Sequence, residues 1–336
     1  MIVILNRILP FNNLFFRNCF YNALFPAILY HNKSITPFFL SDIFIYEYDE
    51  TLGLISSQTL SVHSDEYILK KIGVLMNTQF PNSDVINIIK GELNNGIPVI
   101  LGIDCYYSPI RNDTYLQKHL AHYILIFGYD AQDDSFLILE HQNRDTLTYS
   151  PQKIAASDVL KCYESFLSIS EGMDTSALFS VCANNEYRVG EATVLEEFFE
   201  CFLENIKKHS SRRTTLMSTA ITKFKGDILE ALKNETSMTQ FLASKGDKLL
   251  VNLNELIDNI HLEHYRLEHI YSDDKQTLEL HSSILSNWMK VRAIFLKYQL
   301  TGRFNPKSFN QITPCLEQLL ILESNYLNRF EYKVFR

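Results

Sequence analysis

Three residue types that together make a thiol reactive lie in the first 140 positions of this 336-residue chain. Cys19 follows Asn18, and asparagine is a favoured N-cap, so the spacing predicts a helix over 19–31 that opens on the thiol. A sulfur there sits at the positive end of the helix dipole, beside unpaired N–H groups, and both favour the thiolate. His122 opens an apolar run over 122–129 (HYILIFGY), and Glu140 closes the next one, 135–140 (SFLILE). The polar stretch 130–134 (DAQDD) reads as the turn of a hairpin between them. In the register that pairs His122 with Glu140, Tyr123 meets Leu139, Leu125 meets Leu137 and Phe127 meets Ser135. Directly opposed residues share a face, with Cβ atoms about 5 Å apart. A carboxylate so placed holds one imidazole nitrogen and leaves the other as a base for a thiol. A slip of one residue would send the two side chains to opposite faces. The plainer reading makes Cys19 a small buried hydrophobe and His122–Glu140 a structural pair.

The elements that must carry these residues are mixed up to about 185. Residues 97–104 (IPVILGID) form a third apolar strand, and near-continuous apolarity suits a sheet covered on both faces. Residues 83–95 predict a helix with Ser83 as N-cap and Gly96 as terminator. Pro26 inside 19–31 is expected to kink that helix or move its start. Residues 151–161 suggest a helix opened by Pro151, and 166–170 with 177–183 suggest one more hairpin. After about 186 the strand signal fades. Residues 190–209, 214–234, 248–271, 276–300 and 308–330 carry helical spacing. The expectation is an α+β fold: a catalytic domain with a central antiparallel sheet over 1–185, then an all-helical cap or bundle over 186–336.

Composition excludes several classes. Hydrophobic residues make up 46% and charged residues 21%, an ordinary globular balance. A net charge of −8 speaks against binding nucleic acid by overall attraction to phosphate. Six cysteines with no CxxC predict neither a disulfide scaffold nor a thiolate zinc site, and reduced thiols suggest a cytoplasmic protein. The apolar start is short and lacks a basic n-region, so no signal peptide is expected. No run of about 18 apolar residues predicts a membrane span. Neither GxxxxGK[ST] nor GxGxxG occurs, so no ATP or dinucleotide is expected.

Cysteine at a helix start, histidine opening a strand and an acid ending the next resemble papain-like cysteine enzymes. A narrower resemblance rests on Asn18-Cys19 with Ala23-Leu24, on residues 96–107 (GIPVILGIDCYY) and on residues 119–130 (HLAHYILIFGYD). Over about residues 17–160 these resemble the family of butirosin biosynthesis protein H. The resemblance implies an acyltransferase that takes an acyl group from a carrier-protein thioester and passes it to an amine. It makes Cys19 the nucleophile and His122 the base, and puts Glu140 where the family usually has aspartate. Asp104 and Asp130 are rivals for that third place. Asp104 also matches a family aspartate before paired tyrosines and is expected to shape the substrate site. The implied partners are an acyl or peptidyl carrier protein and a small amine. No cofactor is implied, since phosphopantetheine arrives on the donor. The chain departs from the family's glycine-rich pattern after residue 40, where 41–50 reads SDIFIYEYDE.

Further candidates complete the reading. The Cys19 N–H is one oxyanion donor. Asn13, six residues earlier, stands at the offset where papain-like enzymes place a glutamine amide, with Asn12 adjacent. No metal is expected. His119 and His122 form HxxH, but a strand puts positions i and i+3 on opposite faces. Asp258, His261, Tyr265 and Glu268 share a helix face that reads as solvated, with His264 on the apolar side. Tyr46, Tyr48, Tyr106 and Tyr107 are candidates for an acyl pocket. Lys207, Lys208, Arg212 and Arg213 cluster at an expected helix junction, either a solvated loop or a docking patch for an acidic carrier. The helical half is also compatible with a homo-oligomer. Two other functions fit the same residues. A cysteine peptidase or amidase would cleave a peptide with neither thioester nor amine. A catalytically silent binding protein would show Cys19 alkylated no faster than a free thiol.

Overall fold

The computed structural model describes residues 2–79, 84–143, 147–170, 177–184, 186–270 and 274–334. Two compact units emerge: Met1–Phe38 with Ser64–Leu195, and Phe39–His63 with Glu196–Arg336. The division therefore differs from a single cut at 186. Residues 42–61, unread as strands in the sequence, form a hairpin whose contacts belong to the helical unit.

The first unit is a mixed sheet-and-helix body. Its elements are β1 (Ile2–Ile4), α1 (Cys19–Tyr30) and, after the short α2 (Thr36–Leu40) at the unit boundary, a longer run that begins past the β2–β3 hairpin. That hairpin, β2 (Asp42–Asp49) and β3 (Leu54–Ser61), stands in the other unit. The run continues with α3 (Asp65–Ile72), β4 (Val74–Gln79), α4 (Val85–Asn94), β5 (Val99–Asp104), β6 (Ala121–Asp130) and β7 (Ser135–Glu140). It closes with β8 (Ser150–Ala155), α5 (Ala156–Ile169) and β9 (Leu178–Ala183). The sheet order is β4-β9-β5-β6-β7-β8, with β1 also paired to β6, and every pairing is antiparallel. The three central strands match the three apolar runs of the sequence. β5 is buried along its whole length, as continuous apolarity requires. α5 packs on β5 at Gly102, where a Cβ would stand 2.6 Å from the Phe166 ring, so only glycine fits.

Two expectations fail in this unit for reasons that lie outside the local sequence. Residues 151–155 are strand, and the helix starts only at Ala156. β8 is the edge strand of the order, where a proline without N–H is tolerated. Residues 166–169 end α5 instead of making a hairpin, and β9 inserts between β4 and β5. The helix near 83–95 starts at Val85, and Ser83 lies outside the described residues. Gly96 follows its end in the left-handed region at φ 76°.

The second unit joins the β2–β3 hairpin to α6 (Glu191–Ala231), α7 (Glu235–His269), α8 (Lys275–Thr301), α9 (Pro306–Phe309) and α10 (Ile312–Val334). The expected break between 209 and 214 is absent: α6 runs straight through Ser210-Ser211. Serine weakens a helix without breaking it, and no glycine or proline stands there. Asn234 caps α7 by accepting from the Ser237 N–H at 2.8 Å. Among the described residues no helix is long and apolar enough to cross a membrane.

Candidate active site

Cys19 is the first residue of α1. Asn18 is extended, at φ −160° and ψ 176°, and its side chain accepts from the Phe20 N–H at 3.0 Å. The turn before it is stapled. Arg17, at φ 52°, donates to the Tyr21 hydroxyl at 2.7 Å and to Asp65 at 2.9 Å, and Tyr21 donates to Asp65 at 2.5 Å. A left-handed arginine costs energy, and these bonds hold it there. Pro26 does not end the helix. Residues Tyr21 to Ile28 are all buried, so packing outweighs the lost backbone bond.

His122, the second residue of β6, lies opposite Ile103 of β5. The β6–β7 ladder pairs Leu125 with Leu139 and Ile126 with Ile138, then bulges before Gly128↔Leu137. That register is two residues from the expected one. A shift of two preserves the face, so His122 and Glu140 become diagonal neighbours instead of direct ones. Their side chains still meet, with His122 Nε2 3.2 Å from Glu140 Oε1. The second ring nitrogen is then available to the Cys19 thiol, which hydrogen-bonds to the His122 side chain. The β6–β7 ladder begins only at Leu125, and the Tyr123 amide donates to the Cys19 sulfur.

Electrostatics turn this contact into an ion pair. Burial acts to raise the Cys19 pKa, but the charge and hydrogen bond of His122 and the Tyr123 N–H outweigh it, and the thiol lies below its ordinary value. Burial opposes protonation of His122, but the charges of Glu140 and Cys19 overcome it and hold the imidazole well above its ordinary value. Burial likewise works against the Glu140 carboxylate, which His122, His141 and Arg111 keep ionised. The favoured state is thiolate, imidazolium and carboxylate in a row.

The surroundings of Glu140 were not read from the sequence. Its Oε1 accepts from the His141 N–H at 2.7 Å, and Arg111 stands 3.9 Å away. Arg111 is buried in the segment between β5 and β6 and grips Asp113 with two bonds of 3.0 Å. It also donates to Cys105 Sγ at 3.4 Å. The His141 ring stacks on Tyr149 at 4.4 Å and lies parallel to His122 at 5.3 Å. Burial lowers the His141 pKa to about 4. Its adjacency to Glu140 was the one signal open to sequence reasoning. His122, Glu140 and His141 also form a group spaced for a metal ion.

Other candidates fall elsewhere. Asp104 is fully engaged: it accepts from His119 Nδ1 at 2.6 Å, Ser165 at 2.7 Å, Tyr106 N–H at 3.0 Å and Leu120 N–H at 3.1 Å. Its histidine is His119, stacked on Tyr106 at 4.3 Å, and not His122. Asp130 is at the far end of β6, eight residues or roughly 26 Å from His122, bonded to Gln132 N–H and Lys153. Neither can replace Glu140 beside His122. Asn13 is exposed. Its neighbour Asn12 binds the Tyr149 backbone at both ends, at 2.9 and 3.0 Å. Tyr46 and Tyr48 belong to β2 in the helical unit, where they bond Glu323 and Asp227, so they are spent on that unit's packing. Lys207, Lys208 and Arg212 are exposed on α6, within a helix and not at a junction. Arg213 is buried against Glu263 at 3.6 Å, so it cannot serve in a docking patch. On α7, His264 pairs with Glu268 at 3.3 Å and the Tyr265 ring packs on Phe39 at 5.2 Å. Burial there raises the Asp258 pKa to about 7.

Fold and site together define an α+β protein whose helix-start cysteine meets a histidine–glutamate pair on an antiparallel sheet. Residues 34–141 match the family model of butirosin biosynthesis protein H, N-terminal. The matched stretch contains His122 and Glu140 and ends at His141, while Cys19 precedes it. No curated protein matches the chain.

Proposed function

We propose that the chain is a papain-like cysteine acyltransferase of natural-product biosynthesis, working in the cytoplasm. The observation that carries this is the Cys19 sulfur at a helix start set against His122, itself oriented by buried Glu140. The Cys19 sulfur attacks the carbonyl of a thioester presented on the phosphopantetheine arm of a carrier protein. The C–S bond to the arm breaks, and the departing thiolate takes the His122 proton. The acyl group then stands on Cys19 while His122 is neutral. A small amine attacks the acyl-enzyme, His122 accepts its proton, and the amide leaves as the Cys19 thiolate returns. The Cys19 N–H at the start of α1 is the oxyanion donor in this scheme. Lys207, Lys208 and Arg212 on α6 are the proposed seat of the acidic carrier.

The test is direct. Acyl thioester without amine should add one acyl group to Cys19, located by peptide mass mapping, and amine should then discharge it as amide. Cys19→Ala should form neither. An adduct on Cys105 or Cys162 would overturn the assignment. Discharge to free acid alone, whatever amine is offered, would make the chain a hydrolase.

A further inference from the structure

Four polar atoms crowd one buried cluster without a hydrogen-bond partner: Glu140 Oε2, both ring nitrogens of His141 and the Tyr149 hydroxyl. Glu140 is 0% exposed and His141 7%. Burying an imidazole with neither nitrogen bonded is costly unless something else satisfies it. Its position says what can. The Nε2 atoms of His122 and His141 converge on the same Glu140 oxygen, at 3.2 and 3.7 Å. One ligand atom from each of the three residues lies within 4.8 Å of the others. Two imidazoles and a carboxylate are a zinc-type ligand set, and ligands around a tetrahedral ion of that kind stand roughly 3.3–3.5 Å apart. The ligand atoms, up to 4.8 Å apart, must turn and draw together to close on an ion. Arg111 opposes a cation there, and its two bonds to Asp113 offset it; the His122 proton must leave as the ion enters.

We propose that His122, Glu140 and His141 form an inhibitory site for a divalent transition ion of the zinc class. The ion takes His122 Nε2 and the Glu140 carboxylate, so the imidazolium proton leaves to solvent on binding. With Nε2 on the ion, His122 is pinned and can no longer pass a proton to the leaving thiolate or take one from the amine. The inhibition rests on the proposed function, whereas the binding does not.

The experiment uses the full chain after chelator treatment. Zinc sulfate is titrated against a chromogenic competitor, with no acyl donor present, while acyl transfer is followed in a parallel assay with donor and amine. One zinc per chain should bind, acyl transfer should stop, and chelator should restore it. Cobalt(II) should give the intense visible bands of a four-coordinate ion. Cys19→Ala should still bind one zinc. His141→Phe keeps the ring stack, and its melting curve reports whether it folds. It should weaken zinc binding beyond the 10–100-fold typical of losing an outer partner. Equal affinity in His141→Phe would put the ion elsewhere and overturn the proposal. So would zinc that Cys19→Ala loses and His141→Phe keeps, which marks the thiol–imidazole pair alone. Absence of stoichiometric binding would leave the orphaned atoms to water and overturn it as well.

Discussion

Each unit of this protein buries a charged cluster, and the two clusters are built differently. In the helical unit Glu263 receives Arg266 at 2.5 Å, the Tyr326 hydroxyl at 2.6 Å and Arg213 at 3.6 Å. Arg266 also donates from Nε and Nη2 to the carbonyls of Phe39 and Asp42, at 2.8 and 2.6 Å. Glu263, Arg266 and Arg213 are paired with one another, and the cluster ties α7 to the strand β2 and to α10; a buried His281 ring nitrogen beside it is unpartnered. In the sheet unit Glu140 is as deeply buried, yet one oxygen is unpartnered and its histidine reaches a half-buried thiol. A saturated network fixes a fold. An unsaturated one beside a nucleophile has capacity left for chemistry.

The contrast breaks most visibly by mutation. Glu263→Ala should cost about 3–5 kcal/mol in urea unfolding, because it strands two buried arginines. Cys19 alkylation in the folded fraction should be unchanged. His122→Ala also strands a buried carboxylate, but the folded fraction should lose about 10²–10⁴ in acyl transfer. Glu140→Gln should be milder than His122→Ala but clearly impaired. A folded Glu263→Ala chain with a slowed thiol would dissolve the distinction.

The pH profile sharpens the same point. Cys19 is depressed and His122 is raised, so the ion pair exists between those two values. A free thiol loses reactivity as pH falls below about 8.5. Cys19 in chelator-treated protein should keep its iodoacetamide rate below that, and lose it only on the acid side of its depressed pKa. Acyl transfer should fall again as pH rises through the raised His122 pKa. A single rise near the free-thiol value would show an unpaired cysteine.

How much of this was legible follows from range. Asn18-Cys19 is a local signal, and the cap is where the spacing put it. The His122–Glu140 face was legible because alternation has period two and survives a slip of two. The register itself was not, because the bulge between Ile126 and Gly128 cannot be read from composition. Pro151 misled because edge position depends on the whole sheet order. The hairpin 42–61 was missed since its burial comes from helices far later in the chain, as in Asn252 bonding the Ile55 carbonyl 197 residues away. Arg111 reaches Glu140 from a connecting segment, which no periodicity marks.

A smaller effect should come from the pair beside Glu140. Arg111 helps keep that carboxylate ionised, and Asp113 offsets Arg111. Arg111→Gln should therefore raise the thiol pKa, and Asp113→Asn should lower it. General damage moves both variants the same way, so opposite signs in the alkylation profile are the diagnostic result. Shifts of the same sign would reduce Arg111 to a packing role.

The smallest expected effect concerns α6. Lys207, Lys208 and Arg212 are exposed on one helix of a chain with net charge −8. Arg213, four residues from His209, faces inward to Glu263 and must be left intact. If the three outer charges seat an acidic carrier, they act on encounter, which salt screens over about 8–10 Å. Reversing Lys207, Lys208 and Arg212 to Glu should lower kcat/KM several-fold for a carrier-bound donor and flatten its salt dependence. A small free thioester should react as before, because the thiolate and its histidine are untouched. Equal losses with both donors would mean a disturbed helix. No loss with either would make the three side chains an ordinary solvated face, and would leave the thiol site as the sole functional region argued from the sequence.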